Sequence, residues 1–366
     1  MQTETYLRVN VVSGLAGSGK TSVALTLGRQ PFALTTSVSD ALRSVLTEAA
    51  DAVPQGTGEA SALDVFVEAP TSVGPLEIIS TLVETGDTPE RLANGHAVRL
   101  GDLITVLDAE RFWIDLRSEA LAPASDGPTE DPTEDPTEDP TDEADDPDRT
   151  AGDLLVEQIE WASIVVINKT DLVAMRDAAD IRDFVRLLNP ASHIVFAEHG
   201  QGCAEGWPIP RRDMFAWLQR SPGWVRQLNG DALLSRSPQG LTCVVYRDVR
   251  PFHPLRLAEF FRDRAEESGE ILRSRGLFRL ATRPGTVGSW SSAGPTITFE
   301  PTGMQSHDPD SPLGQEIAFF GRDLNARLLH RNLDACLLTD TEFLAGPMFW
   351  NTFADPFPAW VLEGAG

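Results

Sequence analysis

Apolar residues fall in short clusters along this chain, and the spacing inside each cluster predicts its element. "YLRVNVVSG" is a β-branched run ending on glycine, and "KTSVALTLGRQ" behind it spaces Val23, Leu25 and Leu27 as a helix does. Further runs with the near-continuous apolar character of strands covered on both faces are "ALDVFVEA" (62–69), "LITVLDA" (103–109), "SIVVINKTDLV" (163–173) and "SHIVFAEHG" (192–200). "AGDLLVEQIEWA" (151–162) and "DIRDFVRLLNP" (180–190, stopped by Pro190) read as helices between them. Strands alternating with helices predict a parallel, doubly wound α/β sheet.

After about residue 230 the pattern changes. "GLTCVVYRDVRPFHP" alternates as a strand does, "LRLAEFFRDRAEESG" is helical, and "GLFRLATRP", "TVGSWSSAGPTITFE" and "QEIAFFGR" read as further strands. "DLNARLLHRNLDACLL" reads as a closing helix capped by Asp323. This mixture predicts a smaller α+β domain at 238–366, behind an α/β domain at 1–228.

Composition changes that picture in one place. The segment from about 126 to 148 repeats Pro-Thr-Glu-Asp with almost no apolar residue, so burial cannot offset the entropy of folding it; it is expected to be a solvated acidic insert. It supplies about half of the net charge of −25 (30 Lys and Arg against 55 Asp and Glu), a balance opposed to nucleic-acid binding through phosphate neutralisation. No apolar run approaches the roughly 20 residues of a bilayer span, and the start "MQTETYLRVN" has no signal-like core, so a cytoplasmic protein is expected. The three cysteines (Cys203, Cys243, Cys336) share no C-x-x-C spacing and fit a reduced compartment.

Two motifs carry chemistry. Gly14-x-x-x-x-Gly19-Lys20-Thr21 follows a strand and precedes a helix, the context that gives a Walker A loop its meaning. Gly14, Gly17, Ser18, Gly19 and Ser22 belong to a backbone that would turn its N–H groups onto phosphate oxygens. Lys20 would reach the β and γ phosphates, and the Thr21 hydroxyl would ligate Mg²⁺. Second, Asn168-Lys169-x-Asp171 sits just past an apolar strand, where ligands meet open α/β sheets. The Asp171 carboxylate accepts two hydrogen bonds, matching the N1–H and 2-amino donors of guanine, which adenine does not offer. Lys169 would lay its stem over the base and Asn168 would brace the turn. The expected nucleotide is GTP.

These motifs resemble those of the CobW family of GTPases, and the similarity extends further. "DRTAGDLLVEQIEWASIVVINKTDLV", "RLLNPASHIV", "RPFHPLRLAEFF", "ILRSRGLFRLATRP", "SWSSAG" and "GQEIAFFGRDL…LDACLLTDTEF" are similar to that family's segments over most of the chain outside the acidic insert. The resemblance implies a P-loop NTPase with a Ras-like G domain, a CobW C-terminal domain and a metallochaperone role in zinc or cobalt handling with a client protein as partner. It also implies that Glu68, at the C-terminal end of the second strand, holds Mg²⁺ or orients the attacking water.

Two departures stand against it. The family's C-x-C-C metal motif has no counterpart in "FALTTSVSDALRSVLTEAADAVPQGTGEASA" (32–62), which contains no cysteine or histidine, the ligands zinc favours. Zinc therefore has no assigned ligand set, and neither His193, His199, His253 nor the cysteines are spaced as a cluster. In "VEAPTSVGP", Thr71 occupies the family's glycine position, where a Cβ obstructs close approach to the γ phosphate. Slow hydrolysis is expected. The competing reading is a nucleotide-dependent docking or regulatory protein that has lost metal transfer; a small-molecule P-loop kinase has no need of a guanine-reading turn. Client and oligomeric state stay open.

Overall fold

Strand β1, Tyr6–Ser13, is buried over its last five residues, as the centre of a parallel sheet must be. In the computed structural model it pairs in parallel with β3 (Ala62–Glu68) on one side and β4 (Ala97–Asp108) on the other. The structure describes residues 6–27, 31–34, 38–51, 62–84, 97–121, 149–202, 207–208, 214–220, 222–231 and 236–360; the acidic insert and Cys203 lie outside them. The two-residue β2 (Phe32–Ala33), β5 (Ile164–Asn168) and β6 (His193–Phe196) complete a six-stranded sheet in the order β2-β3-β1-β4-β5-β6, parallel throughout.

Every residue of β5 is buried, which explains its unbroken Ile-Val-Val-Ile run. Helices α1 (Lys20–Thr26), α2 (Val38–Asp51), α3 (Pro75–Glu84), α4 (Phe112–Leu116), α5 (Ala151–Trp161), α6 (Met175–Leu188) and α7 (Met214–Leu218) connect or follow the strands. Thr150 and Asp153 form a reciprocal capping box at the start of α5, satisfying two N–H groups that the helix geometry leaves free. The α2 and α3 helices lie in stretches to which the sequence pattern assigned no element, and α6 begins five residues earlier than the predicted 180.

The described chain divides into two compact units. One comprises Met1–Asp115, Ala120–Arg182 and Ala191–Arg220; the other comprises Leu116–Glu119, Asp183–Pro190 and Ser221–Gly366. In the second, after α8 (Gly223–Leu228), strands β7 (Leu241–Asp248), β8 (Glu270–Phe278), β9 (Thr286–Ala293), β10 (Thr296–Gln305) and β11 (Gln315–Arg322) form an antiparallel sheet in the order β10-β9-β8-β11-β7. "TVGSWSSAGPTITFE" is thus a β9–β10 hairpin turned at Gly294. Helices α9 (Pro254–Asp263) and α10 (Ala326–Asp334) contribute to a core centred on Trp290, which is fully buried, touches Phe252, Phe261, Phe278, Phe299 and Phe319, and donates its indole N–H to Ser274 Oγ at 2.7 Å. The predicted Asp323 cap is corrected: Asn325 caps α10 by accepting from Leu328 N at 3.2 Å, whereas Asp323 lies outside the helix at φ 52° and pairs with Arg236.

Beyond α10, α11 (Asp340–Ala345) and α12 (Pro347–Trp350) are held by the Arg256 guanidinium, which donates from Nη1 and Nη2 to the two oxygens of Glu342 at 3.1 and 2.7 Å. That pairing, followed by the bonds from Thr339, carries the Glu342 carboxyl from an ordinary 4.5 to about 2. A carboxyl whose value falls on folding stabilises fully above its unfolded value, and the contribution drains away as pH drops through the folded one. Glu342→Gln is therefore expected to lose less stability than the parent between pH 4.5 and 2, read as the shift of the urea midpoint across that window. Equal shifts in both proteins would refute the assignment.

Candidate functional site

The phosphate-type loop opens where β1 ends. Gly14 sits at φ 151°, and a Cβ there would meet the Val106 carbonyl at 2.5 Å. Gly19 leads into α1 at φ 95°, a left-handed conformation, and its Cβ would collide with the Asn168 amide. No side chain caps α1. Within the loop the Ser18 hydroxyl is buried without a partner, and the buried Lys20 ammonium donates to Gly14 O at 3.0 Å. A loop of glycines with an orphaned hydroxyl and an inward-turned ammonium fits a polyanionic group. Gly17, at φ 75°, and Ser22, on the exposed side of α1, complete it.

Thr21 and Glu68 come together from α1 and the end of β3: the Thr21 hydroxyl donates to Glu68 Oε2 at 2.7 Å. A hydroxyl and a carboxylate are the oxygen donors that a hard divalent cation takes in a phosphate site. After Glu68 the chain makes a closed turn in which Val73 N donates to Pro70 O at 3.2 Å, with Thr71 buried at the turn. The first glycine comes only at Gly74, where a Cβ would strike the Glu157 carboxylate, itself paired with Arg149.

The base-type turn is joined to this loop by one side chain. Asn168 donates from Nδ2 to Ser18 O at 2.9 Å and accepts on Oδ1 from Gly200 N at 2.8 Å, so it ties the loop, its own turn and the 199–200 turn into one site. Lys169 occupies φ 60°, and Asp171 is the middle residue of a short 3₁₀ turn (Thr170–Leu172), with its Oδ2 3.5 Å from His199 Nδ1. Sequence reasoning missed this third turn, reading 192–200 as one strand. Strand β6 ends at Phe196, and Glu198 and Gln201 exchange backbone hydrogen bonds of 3.0 and 2.7 Å around His199 (φ 52°) and Gly200 (φ 75°). The His-Gly pair was its signal. Also missed was Asp108, a buried carboxylate at the end of β4 that accepts from Lys169 Nζ at 2.5 Å.

The other candidate metal ligands do not gather. Among the described residues no three His, Cys, Asp or Glu side chains group as they would around a metal ion. His253 precedes α9 and packs its ring on Phe353 at 4.4 Å, and burial followed by the Arg256 charge lowers its basicity. Burial pushes the thiols of Cys243 and Cys336 up to about 12, which disfavours the thiolate a soft metal requires. Among the described residues no helix is long and apolar enough to cross a membrane.

Family models match both parts of the chain. Residues 22–196 match the CobW/HypB/UreG nucleotide-binding domain, a span that starts directly after the Walker A threonine, and residues 241–337 match the cobalamin synthesis protein cobW C-terminal domain. A curated relative, the zinc-regulated GTPase metalloprotein activator 1 of Dictyostelium discoideum, is 27% identical over 241 residues, 58% of this chain. The chain spans about half the length of that relative, 49%. Among solved structures, Zn(II)-bound YjiA GTPase from E. coli is 13% identical with a TM-score of 0.33, covering 92% of this chain and 100% of its own. Bacterial selenocysteine-specific elongation factor EF-Sec is 11% identical with a TM-score of 0.23, covering 88% of this chain and 43% of its own. The nucleotide-binding domain and the C-terminal domain that follows it place this chain in the CobW-type family of P-loop proteins.

Proposed function

We propose that this protein binds GTP with Mg²⁺ through the Walker A loop and the Asn168–Asp171 turn, hydrolyses it slowly, and uses nucleotide state in a metallochaperone-type role toward a client protein in the cytoplasm. The observation that carries the reading is the Asn168 side chain, which bonds the phosphate loop through Ser18 O and the 199–200 turn through Gly200 N. A nucleotide spanning these turns would meet backbone amides at one end and the Asp171 carboxylate at the other.

In this reading Lys20 moves from Gly14 O onto the β and γ phosphate oxygens, a short displacement for a flexible stem. Thr21 and Glu68 are the residues that would hold Mg²⁺, which when bound neutralises charge on the phosphates. Glu68 would alternatively orient the attacking water. Slow turnover follows from the turn behind it. The Pro70–Val73 hydrogen bond closes the backbone, and the buried Thr71 carries a Cβ where an unhindered N–H would have to approach, so positioning suffers more than binding. Calorimetry with GTP and Mg²⁺ is expected to give one site with at least about 100-fold preference over ATP, from the guanine donors alone. Phosphate release without a partner protein is expected below about 0.1 per second, slower than ordinary enzyme turnover. ATP bound as well as GTP would overturn the base assignment; rapid release would overturn the role of the Thr71 turn.

A second reading, nucleotide-gated docking without metal transfer, is favoured by the absence of any cysteine from residues 32–62 and by the high-lying thiols of Cys243 and Cys336. The relative's name links zinc to a GTPase acting on a metalloprotein. Zinc titration with and without GTP separates the two: stoichiometric sub-micromolar uptake selects metal handling, and no uptake selects docking.

A further inference from the structure

We propose that Asp108 is a positioning residue for the nucleobase: it fixes the Lys169 side chain before the base arrives. This rests on the reading of the Asn168–Asp171 turn as a base site. Asp108 lies at the C-terminal end of β4, directly beside Asn168 of β5 in the parallel register. Its carboxylate is divided between two tasks. Oδ1 accepts from the backbone N–H groups of Glu110 and Arg111 at 3.0 and 3.4 Å, holding the turn that follows β4. Oδ2 is then directed at the Lys169 ammonium at 2.5 Å. Asp108 is only 7% exposed, so this is a charge pair largely withdrawn from water, with the lysine end 28% exposed.

Lys169 is consequently held at both ends. Its backbone is set at φ 60°, a left-handed conformation rare for a side-chain-bearing residue, and Ala109 N donates to Asn168 O at 3.0 Å immediately before it. Its ammonium is held by Asp108, so the four methylenes between run along a fixed course at the base turn. A free lysine stem would have to surrender its rotamers when a purine packs on it. A stem anchored during folding has already lost them, so less of the base-packing energy is spent on ordering. The carboxylate never touches the base in this account. It acts on the flat face of the purine through Lys169, and leaves the reading of the base edge to Asp171.

The test is a double-mutant cycle on GDP affinity, measured calorimetrically at fixed salt, with Asp108→Asn and Lys169→Met. Asparagine keeps an oxygen for the two turn amides and removes the charge that holds the lysine, and methionine keeps an apolar stem without the ammonium. Asp108→Asn is expected to weaken GDP about tenfold, the scale of one lost charge-assisted hydrogen bond, and to weaken IDP by the same factor because the base edge is untouched. In the Lys169→Met background the same change is expected to cost less than about twofold. Asp108→Glu, which returns a carboxylate, is expected to bind GDP more tightly than Asp108→Asn. Thermal melts of all variants separate affinity loss from unfolding. Equal losses in both backgrounds, or none in either, would overturn the proposal while leaving the base site intact. GDP binding insensitive to Lys169→Met would instead remove Lys169 from the base site, and the proposal with it.

Discussion

Lys20→Met is expected to lower GTP affinity by about 100-fold and to reduce hydrolysis of what remains by a further factor of at least about 100, with little change in folding stability. The ammonium is the only side-chain cation of the Walker A motif, and it is buried in the loop. It rests on the Gly14 carbonyl at 3.0 Å, a contact between a charge and a neutral acceptor that a triphosphate oxygen outcompetes. Losing one or two charge-assisted hydrogen bonds to phosphate corresponds to about 1.5–3 kcal/mol each, hence the affinity loss. The effect on hydrolysis is separate, because charge developing on the transferred phosphoryl group is then unmatched in the transition state. Methionine keeps most of the stem that packs near Gly14, so the melting temperature is expected to move by only a few degrees. Calorimetry, single-turnover phosphate release and thermal denaturation give the three readings. Unaltered GTP affinity in a folded variant would show that the loop does not hold the phosphates.

Much of this site is legible in the sequence because its parts are local. The Gly14–Thr21 loop advertises itself through glycines at positions where the backbone takes φ 151°, 75° and 95°, and through the strand and helix on either side. Asn168 and Asp171 are equally visible, since they end an unbroken buried apolar strand. What escaped depends on pairing between distant segments. Strand β2 has two residues and exists because Phe32 and Ala33 find Val67 and Glu68; no period can be read from two residues. The His199–Gly200 turn uses histidine at a position where Asn-Gly is the familiar signal, so nothing in the residue types ends the run before it. Asp108 is a single acidic residue after a strand, and only the β4–β5 register brings it beside Lys169.

The second unit shows the same division between local and non-local signals. The β9–β10 hairpin turns at Ala293-Gly294-Pro295, where glycine and proline punctuate the pattern. Strand β8 begins at Glu270, well before the predicted "GLFRLATRP", because Arg273 is buried inside the sheet. Its guanidinium is satisfied by Ser291 Oγ at 2.7 Å and Ser292 O at 3.0 Å from β9. An arginine inside a strand hides the alternation unless its partners are known, and those partners lie on another strand. Asp323 and Asn325 were both eligible caps by residue type. The backbone decided between them, since Asp323 sits in the left-handed region, while Asn325 takes the extended conformation that a cap requires.

Asp171→Asn is the substitution expected to change the identity of the ligand rather than only its affinity. Guanine presents two donors, N1–H and the 2-amino group, and a carboxylate accepts both. Asparagine offers one oxygen and one NH₂, so one guanine donor then faces another donor. Loss of one charged hydrogen bond together with an unsatisfied pair is expected to lower GTP affinity by about 100-fold or more. Xanthine carries a carbonyl in place of the 2-amino group, which the new NH₂ can meet, so XTP is expected to overtake GTP in the variant. The 3.5 Å approach of His199 Nδ1 to Asp171 Oδ2 adds a second consequence. The imidazole competes with guanine for the carboxylate, and the charge that attracts it disappears with the aspartate. The loss of GTP affinity on Asp171→Asn is therefore expected to be smaller than the loss measured for the same change in a His199→Ala background, where the parent no longer faces that competition. Competition calorimetry with GTP, XTP and ATP decides the matter. A variant that keeps the parent order of preference would place the base away from Asp171, and would leave the Walker A loop as the sole nucleotide contact established by mutation.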